Sequence, residues 1–315
     1  MAFRLGVCVF SFAAARPPTM DDLLALAHRF GLQSVEADVK LLGAAPHTRR
    51  QLEKWGLRCV VAGGQLLRTD IVALLQTTHA VGASVVRLVL SGVLEGERYK
   101  VDGGNWHAHL QRCAHRLREI APLLERYGVA LALENHQDAT AEELVWLCEQ
   151  AGSPLVGVCL DTGNPLAVLQ HPVTFAKTVA PWVRDVHLKD YQAFQTMEGF
   201  CLKRCPLGAG IVDFAGILRA LAAQRSDDLP LHIELGAVTA RHIRWRTAAW
   251  WQSFPADHRK QAAEALALIE RRALTGDWRT PHERGADGAM QRAVELDEFA
   301  QSVAFAQTLL RRSEG

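Results

Sequence analysis

Short apolar runs rich in Val, Leu and Ile alternate along this chain with polar turns and with stretches in which apolar residues recur every three or four positions. The runs have strand length and the stretches have helical period. Eight candidate strands stand out: FRLGVCV (3 to 9), SVEADV (34 to 39), RCVVAG (58 to 63), VVRLVLS (85 to 91), VALALEN (129 to 135), VGVCLD (156 to 161), VRDVHLK (183 to 189) and LPLHIEL (229 to 235). Amphipathic segments such as TMDDLLALAHRF, HTRRQLEKWG, TAEELVWLCEQAG and DFAGILRALAAQ lie between them, several with Thr or Asp at the start and Gly near the end, as helix capping favours. Eight such units predict an α/β fold, a (β/α)8 TIM barrel, over an open doubly wound sheet. The first strand–helix turn, SFAAARPPTM, lacks a glycine-rich phosphate fingerprint, which sets aside a dinucleotide-binding fold.

Two stretches depart from the repeat. Residues 191 to 213 carry enough Gly and Pro to predict an irregular loop over one barrel face. Near the end, LDEFAQSVAFAQTLLRR (296 to 312) reads as the closing helix, leaving about 237–290 as a helical insertion within a single domain spanning 1–315. That insertion holds Trp245, Trp250, Trp251 and Trp278, half of the eight tryptophans. It is expected to pack on the barrel as a cover, with a lid over the mouth or a subunit contact as the alternatives.

Composition narrows the function classes. With 49% hydrophobic and 22% charged residues, the 315-residue chain has material for a large core. Lys and Arg (35) nearly balance Asp and Glu (34), so no overall field draws the protein to nucleic acid or to an anionic membrane. No apolar run approaches the roughly 20 residues a membrane helix needs. The apolar start is interrupted by Arg4 and reads as a first buried strand, not a signal peptide. Seven cysteines are scattered without paired spacing, and the lone C-x3-C of Cys201 and Cys205 has no second pair to complete a zinc module. A reducing, cytoplasmic location is the expectation.

Chemistry concentrates where strands end. In a TIM barrel, catalytic groups stand at the C-terminal ends of the strands. Those positions hold Glu134, Asp161, His187 and Glu234 on four strands of the second half, aimed at one point. One carboxylate at a strand end is often only a helix cap. Three of them in a dry cleft repel one another unless a divalent cation intervenes. Three oxygen donors and one nitrogen suit Mn²⁺, with Mg²⁺ or Co²⁺ as alternatives, better than structural zinc.

The words around these residues, LALENH (131 to 136), CLDTGNP (159 to 165), VHLKD (186 to 190), PLGAGIVDF (206 to 214) and HIELG (232 to 236), resemble the xylose isomerase-like TIM barrels of the sugar isomerase/epimerase superfamily. The resemblance implies one divalent metal held by Glu134, Asp161, His187 and Glu234, with Glu134 and Glu234 also acting as acid and base. It further implies substrate contacts at His136, Asn164, Lys189 and Glu36, although Glu36 could equally be a solvated surface group and Asp190 only a cap or a partner of Lys189. Two positions depart from the family pattern: Asn164 stands where many members carry histidine, and Ala209 lies between the glycines of the loop where an acidic residue is common. The activity implied is isomerisation or epimerisation of a small ketose, ketosugar or keto-cyclitol through a metal-stabilised enediolate. The alternative is a dehydratase or other lyase on a keto-cyclitol or dehydroshikimate-type substrate. The expected partner is a small sugar or polyol-derived molecule, with no nucleic acid and no membrane, and a homo-oligomer is left open. An apurinic endonuclease and a non-catalytic sugar-binding scaffold are weaker readings, the first because of Asn164 and the near-zero charge, the second because the ligand quartet is complete.

Overall fold

The computed structural model describes residues 3–224, 228–236 and 238–313. Strands β1 (Phe3–Cys8), β2 (Ser34–Asp38), β3 (Arg58–Gln65), β4 (Val85–Val89), β5 (Ala130–Glu134), β6 (Val156–Asp161) and β7 (Val183–Leu188) follow one another around a barrel. After a hairpin of β8 (Asp190–Thr196) and β9 (Gly199–Cys205), β10 (Leu229–Ile233) pairs in parallel with both β7 and β1 and closes the ring. The expected eight-stranded parallel barrel is therefore present. Its strands are buried on both faces, which is why they read as nearly unbroken apolar runs. At Gly157 in β6 a Cβ would lie 2.3 Å from the Trp182 carbonyl oxygen, so only glycine lets β6 and the entry to β7 approach this closely.

Helices α1 (Met20–Arg29), α2 (Ala45–Trp55), α3 (Ile71–Ala80), α4 (Trp106–Tyr127), α5 (Ala141–Ala151), α6 (Pro172–Val179) and α7 (Phe214–Ala222) cover the barrel. Their starts are chemically marked. Thr19, Asp70, Asn105 and Asp213 cap their helices with side-chain oxygens, and Thr140 with Glu143 forms a capping box at α5. The main core lies between these helices and the outward faces of the strands.

Residues 191 to 213 differ from the expected irregular loop. Most of them form β8 and β9, an antiparallel hairpin that pairs from Asp190 with Cys205 to Thr196 with Gly199. The glycines and proline that suggested a loop sit at its turn and beyond its exit, while Tyr191, Ala193, Phe200 and Leu202 supply buried strand positions. The insertion is also less helical than expected. It opens with β11 (Arg241–Ile243), which pairs with β9, then passes through the single turn α8 (Ala248–Trp251) and α9 (His258–Arg272). Residues 275–287 form no helix, and the last helix, α10 (Gly288–Ser313), begins a full two turns earlier than its apolar pattern indicated.

The insertion docks on the loop after β4. Trp250 is 1% exposed, donates its indole N–H to the Glu95 carbonyl at 2.8 Å, and stacks on Phe254 with ring centroids 4.4 Å apart. The Arg98 guanidinium lies between the rings of Phe254 and Trp106. At the other end, Glu295 of α10 accepts backbone N–H groups of Ala13, Ala14 and Ala15, and Phe299 packs on Phe12 and Phe30. The final helix thus fixes the loop that leaves β1. No helix among the described residues is long and apolar enough to cross a membrane.

Candidate metal centre

Strand register brings three of the four expected ligands together. Glu134 ends β5, Asp161 ends β6 and His187 lies one residue before the end of β7, with Asp161 directly paired to His187. Their ligand atoms all lie within 4.8 Å of one another, and all three side chains are buried. Asn135 locks two of the strand ends: its amide donates to the Asp161 carbonyl at 2.9 Å and accepts the Asp161 N–H at 2.7 Å. Asp161 Oδ1 accepts the N–H groups of Gly163 and Asn164, which fixes the carboxylate. His187 Nδ1 is buried without a hydrogen-bond partner, and the buried Asp161 Oδ2 is met only by the Lys189 ammonium, at 2.9 Å. A buried imidazole nitrogen left unsatisfied is costly, and such a nitrogen beside a carboxylate oxygen is the donor chemistry of a divalent cation site.

Glu234 joins the group differently. Its Oε2 pairs with Lys189 Nζ, which also lies 2.9 Å from Asp161 Oδ2, and its Oε1 accepts the Gly236 N–H. A lysine ammonium therefore links Glu234 to Asp161, and Glu234 is not within the close-set group. Burial pushes the Asp161 carboxyl up to about 6 despite the opposing pull of Lys189. Burial would raise Glu134 as well, but the Arg87 guanidinium and His187 outweigh it and hold this carboxylate below its ordinary range.

Arg87 was not singled out from the sequence. It is a charged residue inside the apolar run of β4, and that contrast was the available signal. Its guanidinium binds Glu36 Oε1 through Nε (3.1 Å) and Nη2 (2.7 Å) and reaches Glu134 Oε2 at 3.2 Å. Glu36 Oε2 in turn meets His187 Nε2 at 2.5 Å. Carboxylate–imidazole contacts of this type orient a metal-binding histidine by engaging one ring nitrogen and leaving the other for the ion. Deeper still, His232 bridges Asp185 Oδ1 and Ser34 Oγ, both at 2.8 Å. Burial pushes the Cys8 and Cys159 thiols well above their ordinary range, so these neighbours are neutral and poor ligands.

A cavity of about 640 Å³ opens above this layer, within the size range of small-molecule sites. His136 and Lys189 line it, as do Glu134, His187 and Glu234. Burial lowers the His136 imidazole, so the ring is neutral at neutral pH. Glu36 and Asn164 are absent from the lining. Glu36 is fully buried, not a solvated surface group, and it sits behind His187 and Arg87. The Asn164 carbonyl oxygen accepts from Gln137 Nε2 and the Tyr191 hydroxyl, so it serves the wall behind the cavity. Asp190 is neither a helix cap nor a partner of Lys189: its carboxylate accepts the N–H groups of Gly208, Gly210 and Val212 and holds the glycine loop that follows β9.

Comparison with known proteins agrees with this architecture. Over 136 residues, 42% of this chain and 46% of the relative, the sequence is 34% identical to 3-oxo-isoapionate decarboxylase of Pectobacterium atrosepticum. Over 122 residues, 38% of this chain and 41% of the relative, it is 41% identical to 2-epi-5-epi-valiolone 7-phosphate 2-epimerase of an Actinoplanes species. The chain thus spans less than half of the length of these curated relatives. Among solved structures, an L-ribulose 3-epimerase superposes with a TM-score of 0.60 at 18% identity, covering 100% of this chain and 96% of that one, which shows a common fold. These relatives are enzymes of isomerase, epimerase or decarboxylase type that act on small sugar-like molecules. The family model described as xylose isomerase-like TIM barrel matches residues 24–272, and the chain belongs to that family.

Proposed function

We propose that this protein is a metal-dependent isomerase or epimerase acting on a small ketose, ketosugar or keto-cyclitol. The observation that carries the reading is the buried convergence of Glu134, Asp161 and His187, with His187 Nδ1 unsatisfied, where Glu134 and His187 line a sugar-sized cavity. Glu134, Asp161 and His187 would hold the ion, and Glu234 would complete the set once released from Lys189. The donor chemistry favours Mn²⁺, with Mg²⁺ or Co²⁺ as alternatives. When bound, a divalent cation supplies Lewis-acid polarisation of a carbonyl and stabilises the developing negative charge.

The chain's own residues move the proton. Arg87 keeps Glu134 ionised, so its carboxylate can take the proton from the carbon between carbonyl and hydroxyl, leaving an enediolate. Glu234 lies at the opposite end of the Lys189 ion pair and is the second carboxylate facing the cavity, suited to return a proton to the other face or the adjacent carbon. Lys189 and neutral His136 are placed to bind substrate oxygens. The seven described cysteines are free and buried, matching the proposed cytoplasmic setting.

A lyase is the second reading, carried by the similarity to a decarboxylase. Loss of carbon dioxide from a β-keto acid would leave the C–C bonding pair on the carbon beside the carbonyl, as proton removal does, whereas in a dehydration that pair would form the new C=C bond as the β-hydroxyl leaves with a proton as water. NMR in deuterated water, with Mn²⁺ and a panel of ketoses, keto-cyclitols and β-keto acids, separates the two. Deuterium incorporation with conserved mass balance supports isomerisation, water or carbon dioxide release supports the lyase, and neither with any substrate class overturns both.

A further inference from the structure

The cavity is lined by five cationic side chains, Arg16, Arg87, Lys189, Arg204 and Arg241, against three carboxylates, Glu134, Glu234 and Glu295. Four of the cations are matched. Arg87 pairs with Glu36 and Glu134, Lys189 with Asp161 and Glu234, Arg16 with Asp38, and Arg204 with Glu298. Glu295 is engaged by three backbone N–H groups and is paired with none of these arginines.

Arg241 is the exception. Its Nη1 makes one long hydrogen bond to Thr239 Oγ1 at 3.3 Å, its Nε is buried with no hydrogen-bond partner, and no carboxylate pairs with it among the described residues. Its backbone is well fixed. Arg241 opens β11 opposite Leu202 of β9, and the next residue, His242, donates its N–H to Glu95 Oε1 at 2.8 Å and meets Trp278 edge to face. A guanidinium presented from a strand, with a buried donor unsatisfied and a cavity in front of it, matches an oxyanion: its planar fork of two parallel N–H donors fits two oxygens of a carboxylate or phosphate.

We propose that Arg241 forms an oxyanion subsite, so that the substrate is an acidic sugar derivative whose carboxylate or phosphate is held at the cavity wall while its carbonyl and hydroxyl face the metal-ligand cluster. This rests on the sugar-directed reading above and narrows it to substrates carrying negative charge. Because the other four lining cations already pair with carboxylates, Arg241 is the charge of the wall that an entering anion would meet unmatched.

Isothermal titration of the Mn²⁺-loaded full chain with three matched polyols tests this: neutral D-sorbitol, D-gluconate and D-sorbitol 6-phosphate. The expected result is that at least one anion binds roughly 10- to 100-fold more tightly than sorbitol, as a charge-assisted bidentate contact implies. Arg241→Gln should reduce that anion to the sorbitol level and leave sorbitol within about two-fold of wild type. Gluconate ahead of sorbitol 6-phosphate identifies a carboxylate, and the reverse order a phosphate. Equal binding of neutral and charged polyols, absence of anion binding, or retention of the preference in Arg241→Gln overturns the proposal. Arg241→Lys serves as the second variant, because it keeps the charge without the planar fork and should lose only part of the preference. Deuterium exchange reports separately on the reaction: anion preference without exchange on any substrate refutes the isomerase reading and leaves the subsite, and exchange without anion preference does the converse.

Discussion

Lys189 offers the sharpest test of whether the buried carboxylates await a cation. The lysine is 4% exposed, and its ammonium is the shared partner of Asp161, fully buried, and Glu234, 5% exposed. Lys189→Met removes the charge and keeps much of the volume, leaving two carboxylates uncompensated at a cost of about 3–5 kcal/mol in the metal-free protein. At roughly 2.1 cal/mol/K per residue, 315 residues carry an unfolding entropy near 0.66 kcal/mol/K, so each kcal/mol moves the melting midpoint by about 1.5 °C. The metal-free variant should therefore melt about 5–8 °C below the metal-free wild type at pH 8. Mn²⁺ brought to the same carboxylates would restore the missing charge, so the two metal-loaded proteins should melt within about 2 °C of each other. Thermal unfolding of both proteins in EDTA and in MnCl₂ measures all four midpoints. Asp161 adds a pH arm: burial raises its carboxyl to about 6 even with Lys189 beside it, and losing the lysine pushes it further up, so the penalty should shrink as pH falls from 8 toward 6 and the group becomes neutral. An equal drop with and without metal would show that Lys189 supports the fold independently of any ion, and no drop would show that these carboxylates are not held apart by it.

Other expectations are more local. Glu134→Gln should lower solvent deuterium exchange into substrate by at least about 100-fold, and an unchanged rate would remove Glu134 from the chemistry. Asp138 is fully buried and pushed up to about 7 by desolvation; its folded pKa lies above the unfolded value, so its own contribution to stability is fullest below about pH 4 and falls by at most about 4 kcal/mol up to pH 7. Denaturant titration of Asp138→Asn between pH 4.5 and 8 should show that slope flattened, and an identical slope would contradict the assignment. Trp250→Ala should cost about 3–5 kcal/mol and speed proteolytic cleavage between residues 238 and 287, since its ring holds the insertion to the loop after β4. Protection equal to wild type would mean that the insertion is anchored elsewhere. Gly210→Ala would place a Cβ 2.2 Å from Asp190 Oδ1, and a loss of about 1–3 kcal/mol in denaturant unfolding is expected. Wild-type stability would show that the glycine loop can shift without losing its grip on Asp190.

The barrel strands were legible because burial on both faces leaves an apolar run with little ambiguity, as in VGVCLD, where every residue is buried. Glu134, Asp161 and His187 were legible because barrel topology puts their positions at one rim. The hairpin was not, since Gly199, Pro206 and Gly208 drew attention while the two-residue alternation of Tyr191 with Ala193 was short and punctuated. Contacts that couple distant strands were hidden in principle. Nothing local announces that Arg87 binds Glu36, or that Lys189 turns back between Asp161 and Glu234. Glu36 illustrates the limit: one acidic residue in an apolar strand is compatible with a solvated rim or a buried partner, and only the positions of His187 and Arg87 decide.

The small sheet outside the barrel joins segments that are far apart in the chain. β8 and β9 leave the end of β7, whereas β11 belongs to the insertion after β10, and the three make one wall in which Arg241 faces the cavity. Exchange of mouth regions among related barrels is therefore constrained to move two segments as one cassette. A graft of the 190–205 hairpin without the 241–243 strand would leave an unpaired edge with a ladder of open N–H and C=O groups, while the insertion alone would arrive with no strand to join. New substrate ranges on this scaffold should arise from paired changes in both segments, with the barrel and its ligand-bearing strand ends left untouched.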